Sequence, residues 1–151
     1  MEKTLEGDYK IVFVGHSLGG VYAAWLYTKM KDRVVGAISL ATPYGGSEAA
    51  MWLNTIKPAQ IYKDIVPYSQ AIRGLTKHEF PEWWTIVVTT RGHSHLMYMQ
   101  NDGVVTHESM TTLKGGSVVE VPYNHHEVLC ADEVVDIINS AVLKHTGVAH
   151  G

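Results

Sequence analysis

The stretch Lys10-Ile-Val-Phe-Val-Gly-His-Ser-Leu-Gly-Gly20 decides how the rest of this chain can fold. It opens at residues 11–14 as an uncharged, largely β-branched run, which is typical of a short buried strand. From Leu18 onward, apolar residues return with the period of a helix. They are Val21, Tyr22, Trp25 and Leu26. The stretch therefore predicts a strand, a tight turn and a helix, in that order.

The turn, Gly15-His-Ser-Leu-Gly19, matches the pattern Gly-x-Ser-x-Gly at the point where a strand gives way to a helix. A nucleophilic serine must stand clear of the sheet on a strained turn, and the strand and the helix then approach closely. Gly15 and Gly19 suit that approach because neither has a Cβ that would clash. Ser17 is thus the candidate nucleophile, and the Leu18 amide would face a developing oxyanion. The alternative is an incidental serine in a glycine-rich turn.

Composition indicates an ordinary globular domain of 151 residues, 46% hydrophobic and 18% charged. A net charge of −3 gives no argument for nucleic acid or an anionic membrane as partner. Cys130 is the single cysteine, so an internal disulfide is excluded, and its apolar neighbours predict a small buried side chain. No apolar run is long enough to span a membrane, and the polar start is unlike a signal peptide. We therefore expect a cytoplasmic protein.

Strand and helix patterns alternate along the chain, which is typical of a parallel sheet with helices on both faces. Strands are predicted at residues 11–14, 34–40, 83–90 and 117–121. Helices are predicted from Leu18 and at residues 48–56, 61–66, 69–75 and 132–144. The last helix should face the sheet with Val134, Val135, Ile137, Ile138, Ala141 and Val142. We predict one α/β domain over residues 1–151, with an open sheet of about four strands and a small helical insertion at about 47–80.

Two loops after the later strands carry possible partners for Ser17. Asp102 lies in a long loop at 91–110, after the third strand, and His125 and His126 follow the fourth. In open α/β sheets functional groups gather at the carboxyl ends of strands, and the order serine, acid, histidine suits a catalytic triad. The histidine would take the serine proton, and the acid would orient the histidine. A simple Asp-Gly turn is the alternative for Asp102, and the residues alone do not separate the two histidines.

Several segments resemble the lipase and esterase group of the α/β-hydrolases. They are Gly15-His-Ser-Leu-Gly-Gly20, Leu40-Ala-Thr-Pro-Tyr-Gly-Gly-Ser47, Ile65-Val-Pro-Tyr-Ser-Gln-Ala-Ile-Arg-Gly-Leu75, Asp102-Gly-Val-Val-Thr-His-Glu-Ser109 and His125-His-Glu-Val-Leu129. The second is similar to a turn that reads Leu-Gly-Thr-Pro-His-x-Gly-Ser in that group. The resemblance spans roughly residues 11 to 140. It implies a carboxylic-ester hydrolase that works through an acyl-enzyme, and it places the base at His125 rather than His126.

Candidate substrate contacts are His16, Tyr44 and Met97. Tyr44 stands where the family often has histidine, and Met97 could line an acyl pocket, although flexible loop packing is the commoner explanation. The substrate would be a small acyl ester. The two histidines of His93-Ser-His95 are too few ligands for a metal site, so neither a metal nor another cofactor is expected.

The chain departs from the family before Ser17. The family normally has several strands there, and a loop among them supplies a second oxyanion donor, whereas this sequence has only about ten residues ahead of the first strand pattern. Losing one donor typically costs about a hundred- to a thousandfold in rate. A weakly active or non-catalytic binding remnant is therefore an alternative, and an acyltransferase is another. The first strand would also be an unprotected sheet edge, so we expect a homo-oligomer with that strand at or near the interface.

Overall fold

The structure is a computed structural model that describes residues 9–47, 50, 63–64, 66–67, 69–92 and 100–146. The described residues form a sheet of four parallel strands in the order β1-β2-β3-β4. The strands are β1 (Ile11–His16), β2 (Val34–Leu40), β3 (Glu79–Thr89) and β4 (Lys114–Val121). The α-helices whose bounds fall within the described residues are α1 (Leu18–Lys29), α2 (Gln70–Leu75), α3 (His107–Met110) and α4 (Asp132–Thr146). The predicted α/β class with about four parallel strands is confirmed.

Helices cover both faces of the sheet. On one face, Tyr27 of α1 packs against Trp84 of β3 with ring centroids 5.5 Å apart. The next residue of β3, Thr85, points to the opposite face because side chains alternate along a strand. There it shares a cleft with Ile137 of α4. Burial from both sides explains why β2 is a nearly unbroken apolar run, as central strands of parallel sheets usually are.

The parallel register brings the carboxyl ends of the strands to one edge of the sheet. His16 at the end of β1 pairs with Leu40 at the end of β2, and Leu40 pairs with Val87. Thr89 at the end of β3 pairs with Val121 at the end of β4. The loops that follow β1, β3 and β4 therefore open at the same edge, which is where a functional site is expected in an open α/β sheet.

Strand boundaries differ from the predictions where proline and glycine interrupt the apolar pattern. β3 begins at Glu79, four residues before the predicted start, and passes through Pro81. Proline has no N–H to give to the ladder, and the register with β4 shifts between Phe80 and Thr85. β4 likewise begins at Lys114, with two glycines near its start, rather than at Ser117.

Helix boundaries follow their capping residues. The loop predicted at 91–110 contains the short helix α3, which begins after Thr106, whose side chain accepts a hydrogen bond from the Ser109 amide. Ser69 caps α2 in the same way, 3.2 Å from the Ile72 amide. The helices predicted at 48–56 and 61–66 lie almost wholly outside the described residues. Within the described part of the chain, no helix is long and apolar enough to cross a membrane.

Two burial predictions near α4 are wrong. Val135 is 45% exposed, whereas Val134 is buried. Consecutive helical residues point about 100° apart, so of these two residues only Val134 faces the sheet. Cys130, predicted to be buried, is exposed. It follows a short 3-10 turn, Glu127–Leu129, in which Val128 is the side chain that enters the core.

Candidate active site

Ser17 lies at a strained turn between β1 and α1. Its backbone angles, φ 52° and ψ −125°, fall outside the regions that L-residues ordinarily occupy, and such a conformation costs of the order of 1–3 kcal/mol. The Ser17 amide donates to the carbonyl of Leu40 at 2.8 Å, and the Ser17 carbonyl accepts from the amide of Gly20 at 3.0 Å. β2 and the first turn of α1 thus hold the strained residue from both sides.

Gly15 allows β1 and α1 to approach, as predicted, but the second glycine that makes room for α1 is Gly20 and not Gly19. A Cβ on Gly15 would lie 2.7 Å from the carbonyl carbon of Gly19. A Cβ on Gly20 would overlap the side chain of Thr42, whereas one on Gly19 would meet nothing within 4 Å. The interpretation of Gly19 was therefore wrong, because α1 turns that residue toward solvent and Gly20 toward the end of β2.

Ala41 follows β2 at the position where the motif that this segment resembles has glycine. Its φ is 47°, a left-handed conformation that costs an alanine about 1–2 kcal/mol. The residue is completely buried, and its amide donates to the carbonyl of Val87 at 3.0 Å. The turn after β2 is therefore held in a second unfavourable backbone conformation beside the elbow.

His125 connects Ser17 to Asp102. Its Nε2 lies 3.1 Å from the Ser17 hydroxyl oxygen, and its Nδ1 lies 2.9 Å from Asp102 Oδ2. A carboxylate can only accept, so Nδ1 carries the proton and Nε2 is left to accept from the serine hydroxyl. His125 and Asp102 are buried, whereas Ser17 is partly exposed. The geometry is that of a nucleophile, a base and an orienting acid in series.

Asp102 accepts four hydrogen bonds in a buried environment. Oδ1 accepts from the amides of Val104 at 3.0 Å and Val105 at 2.7 Å. Oδ2 accepts from the hydroxyl of Thr89 at 2.5 Å and from Nδ1 of His125. Burial alone would raise the pKa of Asp102, but the hydrogen bonds from His125, Thr89 and the Val105 amide lower it further than burial raises it. The carboxylate is therefore ionised at neutral pH.

Thr89 is the residue of this site that sequence reasoning misses. It is 1% exposed and ends β3, directly before the loop that carries Asp102. The available signal was a hydroxyl that closes an otherwise apolar strand end at the carboxyl edge of the sheet.

His16 contacts the main chain of His125. Its Nε2 lies 2.8 Å from the carbonyl oxygen of His125, which can only accept. Burial lowers the pKa of His16, the hydrogen bond to His125 and the charge of Asp102 raise it, and the charges of His125 and His126 lower it again. The balance is a pKa below the ordinary value, so His16 is neutral at neutral pH.

Tyr44 and His126 make none of the hydrogen bonds that join Ser17, His125 and Asp102. Tyr44 is 1% exposed, and its hydroxyl accepts a hydrogen bond from Trp84 at 3.1 Å within the core, where burial raises its pKa far above the ordinary value. A side chain so enclosed does not reach a ligand at Ser17, so we do not retain Tyr44 as a substrate contact. Met97 lies outside the described residues. His126 is exposed, and its amide donates to the side chain of Asn124 at 2.9 Å.

Leu18 begins α1, and its amide has no acceptor within the helix. It follows Ser17 directly, at the positive end of the helix dipole. The Leu18 amide therefore lies next to the serine at the N-terminus of α1.

Solved structures of three hydrolases have a similar fold. The lipase BlEst2 of Bacillus licheniformis matches with a TM-score of 0.65 and 16% identity, over 87% of this chain and 65% of that one. An alpha/beta superfamily hydrolase from Oenococcus oeni matches with a TM-score of 0.60 and 16% identity, over 97% and 71% of the two chains. A hydrolase from Pseudomonas aeruginosa gives 0.54 and 15%, over 97% and 68%.

These likenesses define the class of fold. No family model matches the sequence, and no curated protein matches it either. At such low identity the structural similarity concerns the fold alone, and this chain has a reduced α/β-hydrolase fold. It spans just under two-thirds of the length of the Bacillus lipase.

Proposed function

We propose that this chain is a serine hydrolase that cleaves carboxylic esters through an acyl-enzyme. The observation that carries the proposal is the hydrogen-bonded series of Asp102, His125 and Ser17, with the serine on a strained elbow. The likeness of the fold to solved hydrolases, one of them a lipase, supports the same class of reaction.

In the first half-reaction, the Ser17 oxygen attacks the carbonyl carbon of the ester while His125 Nε2 takes the hydroxyl proton. Asp102 stabilises the imidazolium that forms. The negative charge that develops on the carbonyl oxygen faces the Leu18 amide at the start of α1. His125 then gives its proton to the departing alcohol, and the acyl group stays on Ser17.

In the second half-reaction, water attacks the acyl-enzyme. His125 takes a proton from the water and returns it to the Ser17 oxygen as the carboxylic acid leaves. An alcohol in place of water would give a new ester, which is the acyltransferase alternative. That reaction would appear as an alkyl-ester product when short alcohols are added.

Energetics favour a catalytic site over a non-catalytic remnant. The Ser17 backbone is strained by about 1–3 kcal/mol. The charge of Asp102 is buried, which is tolerable only because four donors surround it. A surface that only binds a partner gains nothing from the strain at Ser17, whereas a nucleophile must stand clear of the sheet. Leu18 is the one oxyanion donor that we assign, and because one donor is worth about a hundred- to a thousandfold, we expect slow turnover.

Hydrolysis of a p-nitrophenyl ester tests the proposal. We expect Ser17→Ala to abolish turnover, while Ser140→Ala, on an exposed position of α4, leaves it unchanged. We expect His125→Ala to lower kcat by several orders of magnitude and His126→Ala by much less. Full turnover by the purified Ser17→Ala variant would exclude Ser17 as the nucleophile, and the reverse ranking of the histidines would transfer the role of base to His126.

A further inference from the structure

We propose that His16 is a positioning residue, which holds the base His125 by its main chain and couples the elbow to the histidine loop. The inference rests on the proposed function, in which His125 is the base for Ser17. His16 directly precedes Ser17, so one short segment would fix both partners of the proton transfer. This role differs from the substrate contact that is expected of His16 from the sequence.

Both main-chain polar groups of His125 are anchored. Its amide donates to the carbonyl of Asp102 at 3.2 Å, and its carbonyl accepts from His16 Nε2 at 2.8 Å. The other end of the contact is rigid as well, because His16 pairs with Leu40 of β2. The 3.1 Å separation of the Ser17 oxygen and His125 Nε2 is thus set by these main-chain contacts as well as by side-chain torsions.

Both the tautomer and the charge of the His16 ring suit this role. It carries a proton on Nε2, since the carbonyl oxygen of His125 can only accept. The rings of His16 and His125 lie 4.8 Å apart, and His126 and Asp102 are the other ionisable groups that act on His16. Burial, the largest influence, lowers the pKa of His16 and keeps the ring neutral. Neutrality matters because His125 becomes an imidazolium during turnover, and a second positive charge this close would oppose that step.

Two substitutions separate positioning from substrate contact. His16→Phe keeps a ring of similar size but has no donor, whereas His16→Gln keeps an N–H at a similar reach. We expect His16→Phe to lower kcat about 10- to 100-fold with little change in KM, since small misplacements of reacting groups have effects of this size. His16→Gln should recover most of that loss. His126→Phe is the matched control, since the exposed His126 ring also lies close to that of His125, at 5.4 Å, and its kcat should stay within about threefold of the wild type.

Equal kcat values for His16→Phe and His16→Gln would overturn the inference. A loss confined to KM would overturn it too, because it would make His16 a substrate contact. Urea unfolding of both variants shows whether a loss of kcat merely follows a loss of stability, an outcome that would also contradict positioning.

Histidine ring NMR tests the contact independently of turnover. We expect His16 to carry its proton on Nε2 and to titrate below the ordinary histidine pKa of about 6.5. In His16→Phe, the Nδ1 proton of His125 should exchange faster with water. A wild type that shows these signals but hydrolyses no ester would refute the proposed function and leave the contact standing. A His16 that carries its proton on Nδ1 would refute the contact.

Discussion

The hydroxyl of Thr89 lies between the core and the candidate active site. It donates to Oδ2 of Asp102, the same oxygen that accepts from His125. A hydrogen bond to a charged group is worth about 1.5–3 kcal/mol, more than the roughly 1 kcal/mol of a bond between neutral groups. One hydroxyl at the end of β3 therefore affects both the stability of the fold and the orientation of His125.

Thr89→Val should destabilise the protein in a pH-dependent way. The pKa of Asp102 lies below its ordinary value, so its contribution to stability is fully present above about pH 4 and is lost as the pH falls through the folded-state pKa. The substitution raises that folded-state pKa toward the ordinary value. We expect a loss of about 1.5–3 kcal/mol in the free energy of unfolding at pH 7 and a smaller loss at pH 3, measured by urea unfolding.

Thr90→Val is the control for this comparison. The Thr90 hydroxyl donates to the neutral carbonyl of Val121 at 3.2 Å. Its removal should cost about 1 kcal/mol at either pH. A Thr89→Val cost that does not change with pH would mean that the hydroxyl does not stabilise the charged carboxylate.

At the scale of elements, the approach of α1 to the ends of β1 and β2 determines where the serine lies. Gly19 is exposed near the start of α1, and Gly20 is buried against Thr42. The two adjacent glycines therefore differ in their effect on stability. Gly19 only adds flexibility to the helix, whereas Gly20 makes room for the turn after β2.

Gly19→Ala and Gly20→Ala should change stability in opposite directions. Alanine at 19 meets no other atom and should stabilise the helix by about 0.5–1 kcal/mol. Alanine at 20 would push into Thr42 and should cost about 1–3 kcal/mol. Thermal or urea unfolding of both variants measures this. Equal effects would show that α1 does not approach β2 as described.

The sequence predicts well those elements whose burial against their neighbours produces a regular pattern of apolar residues. β2 is bounded at Val34 and Leu40, as predicted, because burial on both faces makes every position apolar. α1 begins at Leu18, as predicted, because the helical period starts there. The carboxyl-edge rule then brings the loops of Ser17, Asp102 and His125 together.

The features that the sequence does not predict are those that depend on which neighbouring element a residue faces. Periodicity says which side of its own helix or strand a residue occupies, but not what lies across from it. The predictions for Val135 and Gly19 are wrong for this reason, since both residues face solvent rather than a neighbouring element. The bonds of Thr89 to Asp102 and of His16 to His125 join residues far apart in the chain, and no local pattern marks them.

At the scale of the whole molecule, β1 is a sheet edge within the described residues. Val14 is 50% exposed there, and residues 11–13 are only partly buried. Fully burying a valine or isoleucine side chain is worth about 1.5–3 kcal/mol, so covering this edge would stabilise the fold substantially. Neither proline nor a charged residue protects the strand after Lys10.

We predict that the 151-residue chain forms a homo-oligomer through the β1 edge. Val14→Lys should dissociate it, because a charge would be buried at the interface. Val118→Lys is the matched control, since Val118 is 49% exposed on the opposite edge strand, β4. Light scattering after size exclusion measures both. A wild type that elutes as a 16.7 kDa species at micromolar concentrations would contradict the prediction.

Reaction with a fluorophosphonate, which labels only an activated serine, tests the proposed roles of Ser17 and His125 most directly. Intact mass spectrometry and peptide mapping give the number and the position of the adducts. We expect one adduct per chain on Ser17, absent from Ser17→Ala and nearly absent from His125→Ala, where no base takes the proton. A wild type that stays unlabelled, or labelling of Ser17 that His125→Ala leaves unchanged, would contradict these roles.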